Sequence, residues 1–299
     1  MHGKWRSNKL KFCDKNLKSF TLAILLCFSS FLSVAGSSKA QRCYENSDYE
    51  CFYTESLKAA ENGDKESQNN LGVMYLDGIG IPQNHKMAAF WFRKSADKGY
   101  PQAQFNLGLM YNEIRELQDF EKTIFWYRKA ANQGYVEALF NLGYLYDSGD
   151  LGARLYQKAI FWYEKAAEKG DQEAQYNLAK IYSEKRSVFS DIKKAIGWLK
   201  RSAEQGNPRA LSDLGLLYEE GKEVQRDYSK AIALFHEAAV QNYGPAQINL
   251  ARMYLFGKGA AASREKAVFW LQKAANQGEH AADRLLSKID KHKFELDQK

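Results

Sequence analysis

Six side chains recur at one register of this 299-residue chain and are able to bind a peptide backbone: Asn70, Asn106, Asn141, Asn177, Asp213 and Asn249. An amide side chain carries both a donor and an acceptor, as a peptide bond does, so a ladder of them can grip an extended strand. One position earlier stand Asn69, Phe105, Phe140, Tyr176, Ser212 and Ile248. Phe105, Phe140 and Tyr176 would add apolar contact. The same residue types also have a structural use. Asn at that slot can cross-link neighbouring units, and aromatics at helical spacing commonly belong to a core. Sequence alone leaves both uses open.

Little else in the chain has reactive chemistry. Cys13 and Cys27 lie in the first 40 residues, and Cys43 and Cys51 follow. Eight residues of straight helix would hold the Cα atoms of that second pair about 12 Å apart, too far for a disulfide. The segment between must turn, and Asn46-Ser47-Asp48 has suitable turn chemistry. No CxxC and no nearby histidine point to a redox or metal pair, so a structural disulfide between Cys43 and Cys51 is expected. The histidines, His2, His85, His236, His280 and His292, show no HExxH or paired metal spacing. No GxSxG elbow or phosphate-binding P-loop is present, and Gly78-Ile79-Gly80 suits a turn. The expectation is no catalytic residue, no metal, no cofactor and no enzymatic activity.

Net charge is +7, but it is not spread over the chain. Residues 1–40 hold Lys4, Arg6, Lys9, Lys11, Lys15, Lys18 and Lys39 against Asp14, leaving 36 basic and 35 acidic residues beyond them. That near-neutral remainder has no broad field to attract phosphate backbones, so nucleic acid is not expected as a partner. The leader reads as an export signal: a basic stretch to Lys18, an apolar run from Phe20 to Val34, then small residues at Ser33/Ala35 or Ser38/Ala40. Fifteen residues are short for a membrane span, which takes about 20. The alternative is an uncleaved anchor in the inner membrane, the one case in which a membrane is a partner. Either way the remainder lies outside the cytoplasm, periplasmic or secreted, where the two cysteines would pair.

The elements that position these residues are repeats. Asn70-Leu71-Gly72-Val73-Met74-Tyr75 returns as Asn106-Leu107-Gly108-Leu109-Met110-Tyr111 and as Asn141-Leu142-Gly143-Tyr144-Leu145-Tyr146. Shortened copies begin at Asn177, Asp213 and Asn249. A second string, fullest at Ala159-Ile160-Phe161-Trp162-Tyr163-Glu164-Lys165-Ala166-Ala167, runs in phase with the first and places Trp91, Trp126, Trp162, Trp198 and Trp270 in one slot. Ala103, Leu107, Met110 and Tyr111 make one stripe of a 3.6-residue helix, and Ile124, Tyr127 and Ala131 another, so each unit is a helical hairpin. Gly99, Gly134, Gly170, Gly206 and Gly278, with Asn242 in the remaining copy, would stop the second helix. Loop glycines are missing near Glu113–Gln118 and Glu184–Phe189.

The Leu-Gly-x-x-Tyr signature, the Gly-x-Gly-Ile-x-Gln loop near 78–83 and the Trp-Tyr-x-Lys-Ala-Ala-x-x-Gly string resemble the Sel-1-like repeat family, a relative of the tetratricopeptide repeat. The resemblance covers about residues 53–288. It implies an all-α fold, a right-handed superhelical solenoid of tandem antiparallel two-helix repeats. It also implies that the first helix of each unit lines the concave face, which would carry the Asn ladder and the aromatic stripe. The expected organisation is a signal peptide over 1–40 and an amino-terminal cap with the disulfide over 41–66. Six repeats would fill 67–280 (about 67–102, 103–137, 138–173, 174–209, 210–245 and 246–280), followed by a capping helix and polar tail over 281–299. The expected function is an exported scaffold for a protein or peptide ligand, in a bacterial envelope or at contact with host cells. The alternative is a cell-wall accessory factor that binds peptidoglycan or polysaccharide or assists an envelope enzyme.

Overall fold

The computed structural model describes residues 39–184 and 188–297, so the expected leader lies almost wholly outside the described residues. These contain fifteen α-helices and no strand. Helices α1 (Lys39–Glu45) and α2 (Tyr49–Glu61) precede six pairs. The pairs are α3 (Lys65–Asp77) with α4 (His85–Asp97), α5 (Pro101–Glu113) with α6 (Phe120–Asn132), and α7 (Val136–Ser148) with α8 (Tyr156–Glu168). Then come α9 (Gln172–Ser183) with α10 (Ile192–Glu204), α11 (Pro208–Glu220) with α12 (Tyr228–Val240), and α13 (Gly244–Phe256) with α14 (Arg264–Ala275). Helix α15 (His280–Asp297) packs on α14, its Ala282 buried and its Leu285 and Leu286 against the core around Trp270. The chain forms two compact units, one ending at Gln133 and one beginning at Gly134, and within each unit consecutive helices pack on one another. This is the all-α solenoid of tandem helix pairs.

Local chemistry sets the helix ends. Asp64, Asn84, Asp119, Asp171, Asp191, Asn207, Asp227 and Ser263 each precede a helix and accept a bond from a main-chain N–H of its first turn. Such caps contribute about 1 kcal/mol each. The two repeats without loop glycines end their first helix differently. Ile114 and Glu184 leave α5 and α9 in an extended conformation, where Gly78, Gly149, Gly221 and Gly257 are left-handed in the other four. One bond returns the chain in every repeat regardless: the N–H just before the second helix donates to the carbonyl of the signature tyrosine, at 2.7–3.0 Å, from Asn84→Tyr75 through Ser263→Tyr254.

The two helices of a repeat meet through a small residue and a large one. A Cβ on Gly72 would stand 2.4 Å from Phe92, one on Gly108 2.6 Å from Tyr127, one on Gly143 2.5 Å from Tyr163 and one on Gly215 2.7 Å from Phe235. In the other two repeats Ala179 and Ala251 take the glycine's place, and Leu199 and Leu271 take the ring's. Trp91, Trp126, Trp162 and Trp270 are buried beside these contacts, Trp198 half-buried. Burying each large side chain contributes about 1.5–3 kcal/mol.

Buried glutamines stitch neighbouring repeats. The Nε2 groups of Gln68, Gln104, Gln175 and Gln247 donate to the Ala60, Ala96, Ala167 and Ala239 carbonyls at the end of the preceding helix, at 2.9–3.1 Å. Gln133, Gln205 and Gln277 then donate to the side-chain oxygens of Gln104, Gln175 and Gln247. At the amino-terminal side Cys43 and Cys51 are disulfide-bonded, Cα atoms 5.6 Å apart. Ser47 makes the intervening turn with a φ of 59°, and Asp48 caps α2.

Candidate functional site

The first helix of each repeat presents three neighbouring slots, and its surroundings decide which reach solvent. Within the second unit the first helices approach one another, α7 with α9 and α11 with α13, more closely than the second helices do. The first-helix side is therefore the inner side there. Such a face suits an extended ligand, which can touch several repeats at once.

In the first unit the Asn slot faces inward. Asn70 and Asn106 are buried, and Asn106 Nδ2 donates to Asn69 Oδ1 of the preceding repeat at 3.0 Å. Phe105 is buried and stacks on Tyr127, ring centres 5.5 Å apart.

In the second unit the Asn slot opens, and the slot before it opens at Phe140 and Ile248. Phe140 and Asn141 are half-buried, and Asn141 Nδ2 donates to the Glu137 carbonyl at 2.7 Å. Asn177 Nδ2 donates to the Tyr163 hydroxyl of the preceding repeat at 3.0 Å. Tyr176 is buried, and its hydroxyl donates to Asp213 Oδ2 at 3.1 Å. Arg209 lies over its ring, and burial pushes its pKa well above the ordinary phenol value. Asp213 also stands 3.7 Å from Lys180 Nζ, and Arg209 pairs with Glu173. Asn249 is half-buried. Of the nine residues, Asn106, Tyr176, Asn177 and Asp213 bond from repeat to repeat, Asn70 and Phe105 are buried in the first unit, and Phe140, Asn141 and Asn249 are half-buried in the second.

Sequence reasoning passed over the most exposed slot of the face, the residue right after the small Gly or Ala. It holds Val73, Leu109, Tyr144, Lys180, Leu216 and Arg252. Val73 is buried, Leu109 and Leu216 half-buried, and Tyr144, Lys180 and Arg252 exposed. Tyr144 is 47% exposed and stacks on Phe140 at 6.4 Å and 23°, while Phe140 leans on Tyr163 at 5.8 Å. The signal was present: this slot runs from apolar to aromatic to cationic, a range that the buried slots beside it do not show.

A cavity of about 310 Å³ opens beside Lys180, lined also by Asp147, Arg154, Tyr156, Ser183 and Glu184. Arg154 Nη1 donates to the Tyr156 hydroxyl at 3.0 Å, and that hydroxyl donates to Glu184 Oε2 at 2.8 Å. Burial pushes the Asp147 carboxyl up, Arg154 opposing and Glu184 adding to the shift. The cavity thus offers two cations and two carboxylates at the end of the inner face.

Ser95 and Lys98 have the Ser-x-x-Lys spacing of a nucleophile and its base, a feature also missed in the sequence. Both are engaged on main chain: Ser95 Oγ donates to the Lys65 carbonyl and Lys98 Nζ to that of Gly63. Among the described residues no three His, Cys, Asp or Glu side chains come together as a metal site. No described helix is long and apolar enough to cross a membrane.

Solved structures similar in fold to this chain carry the same repeats. A Sel1 repeat protein from Oxalobacter formigenes is 34% identical, with a TM-score of 0.72 over 81% of this chain and 70% of its own. A protective antigen present in uropathogenic Escherichia coli strains is 33% identical with the same TM-score, over 81% of this chain and 52% of its own. A Sel1-like repeat-containing protein of Acanthamoeba polyphaga mimivirus is 48% identical over 52 residues, which are 17% of this chain and 10% of that protein. The chain therefore spans about half of the antigen and about a tenth of the viral relative. Six consecutive Sel1 repeats are matched at 65–100, 101–135, 136–171, 172–207, 208–243 and 244–279, and the chain belongs to the Sel1 repeat family.

Proposed function

We propose that this protein is an exported, non-enzymatic scaffold that binds an extended segment of a partner protein along the first-helix face of its second unit. Sel1 repeat proteins are generally non-enzymatic scaffolds, and their repeats generally bind proteins. The observation that carries the site is Tyr144, a half-exposed ring braced by Phe140 on the inner side of the repeats. Rigid aromatic side chains of this kind make binding anchors at small entropic cost. Phe140, Asn141, Asn177, Lys180 and Asp213 flank it with apolar, amide and charged groups, and Asn249 continues the slot. Asn70, Phe105 and Asn106 support the first unit from within. Tyr176 supports the second.

Export, in a bacterial envelope or at contact with host cells, rests on three supports. They are the basic and apolar leader, the Cys43–Cys51 disulfide, and the likeness to a protein described as a protective antigen of uropathogenic bacteria. The test is retention from envelope extract against binding to purified peptidoglycan, with wild-type protein and Tyr144→Ala. The expected result is a protein partner whose binding Tyr144→Ala weakens about thirtyfold with the melting temperature unchanged. Binding to peptidoglycan alone would replace the partner with glycan, and undiminished protein binding by Tyr144→Ala would move the site elsewhere.

A further inference from the structure

We propose that the outward face of the first two second helices, α4 and α6, docks an acidic segment of a partner protein that also carries apolar side chains. This surface lies in the first unit and is independent of the first-helix face of the second. Phe90 and Phe125 occupy the same slot, immediately before the buried Trp91 and Trp126, and are 46% and 50% exposed. Each ring meets its tryptophan edge-on, at 5.2 Å and 78° for Phe90 and at 4.9 Å and 85° for Phe125. One side of each phenylalanine is therefore held by packing and the other is open.

Helical spacing brings a cation to each open ring. Lys94 Nζ stands 4.6 Å from the Phe90 centre and 5.0 Å from Trp91. Lys129 Nζ stands 4.7 Å from Phe125 and 4.9 Å from Trp126. Arg93 on α4 lays its guanidinium 5.0 Å over the Trp126 ring on α6, which joins the two outward sides into one face.

The charge on that face is one-sided. Lys86, Arg93, Lys94, Lys122, Arg128 and Lys129 are exposed on the two helices, against Asp97 and Glu121. Asp97 pairs with Arg93, and Lys122 with the capping Asp119. Among the described residues no carboxylate lies within ion-pair distance of Lys94, Arg128 or Lys129. Cations fixed against rings, with bare aromatic edges between them, complement a carboxylate-rich segment with apolar side chains. In the second unit the slot is filled only in separated repeats. Phe161 with Lys165 and Phe269 with Lys273 are spaced by Gly197 and Ala233, and Glu237 stands where the other repeats have a lysine or Arg201.

The test uses the full chain and a labelled 20-residue helical peptide of Glu with Leu and Phe on one face. An oligo-Glu peptide of the same length and phosphatidylglycerol vesicles serve as the other probes. Fluorescence anisotropy should show the amphipathic peptide binding, with affinity falling as salt is raised. Phe90→Ser/Phe125→Ser and Lys94→Glu/Lys129→Glu should each weaken it about thirtyfold or more. Lys94→Gln/Lys129→Gln, which keeps polar stems in place, should act in the same direction with an unchanged unfolding midpoint. Tyr144→Ala should leave this peptide unaffected, which separates the outcome from that of the first-helix face. Equal binding of oligo-Glu, undiminished binding by the Phe or the Lys variants, or recruitment to vesicles without peptide binding would each overturn the proposal.

Discussion

The second repeat, 101–135, and the fifth, 208–243, fold the same way and present different surfaces. Both seat a ring against a glycine, Tyr127 on Gly108 and Phe235 on Gly215. Both return the chain to the signature tyrosine with one main-chain bond. Beyond those contacts they part. The second buries Trp126 and links Gln104 to Gln133, where the fifth has a half-buried Leu234 and a buried Leu211, and Gln241 donates to the Gly206 carbonyl instead. Outward, Phe125 and Lys129 in the second become Ala233 and Glu237 in the fifth. Sites that close the helix pair are kept, and sites that meet solvent or a partner diverge. Any function peculiar to this chain has to reside in the second kind.

The largest expected effect comes from the tryptophan slot. Trp126→Ala should lower the stability of the full chain by about 3–5 kcal/mol in urea unfolding, while Leu234→Ala at the half-buried equivalent should cost less than about 2 kcal/mol. Equal costs would mean that the two positions are packed alike and that the difference between the repeats is not energetic. A smaller effect tests the glycine contact. Gly108→Ala forces Tyr127 out of its seat and should cost about 1–3 kcal/mol. Adding Tyr127→Leu recreates the Ala179/Leu199 and Ala251/Leu271 combinations and should recover part of that loss. A double variant no more stable than Gly108→Ala would refute the pairing.

The smallest effect is on pH dependence. The fifth repeat starts α11 with the neutral cap Asn207, whereas α9 starts with Asp171, whose carboxyl burial pushes up to about 6. Asp77 is raised to about 6 by the same cause. A carboxyl with a folded pKa above its unfolded value near 3.9 holds its proton more tightly when folded. Its contribution is therefore fully present below about pH 4 and is lost as pH rises through about 6. The melting temperature should fall slightly between about pH 5 and pH 7. Asp77→Asn/Asp171→Asn should flatten that change, and the introduced amide is still able to cap α9. An unflattened profile would place the titrating groups elsewhere.

The helix pairs, their register, the closing glycines and the turn between Cys43 and Cys51 were legible in the sequence, because each rests on local chemistry or on a period that one chain repeats six times. Missing loop glycines at Glu113–Gln118 and Glu184–Phe189 were legible too, but not the extended ends at Ile114 and Glu184 that replace them. The candidate site was only partly legible. A stripe at 3.6-residue spacing tells which residues share a side of a helix, not which neighbour that side meets. Helices α3, α5, α9, α11 and α13 are each flanked both by their own partner and by the helix before them, so their buried arc is wider than one stripe. That arc takes in Asn70, Phe105, Asn106 and Tyr176. It leaves Tyr144, Lys180 and Arg252 outside, one step further round. Phe90 and Phe125 were likewise indistinguishable from their tryptophan neighbours as letters in a repeat. Only the packed helices decided that the tryptophan turns in and the phenylalanine turns out, because Trp91 with Phe92 and Trp126 with Tyr127 already fill the packed side of each helix.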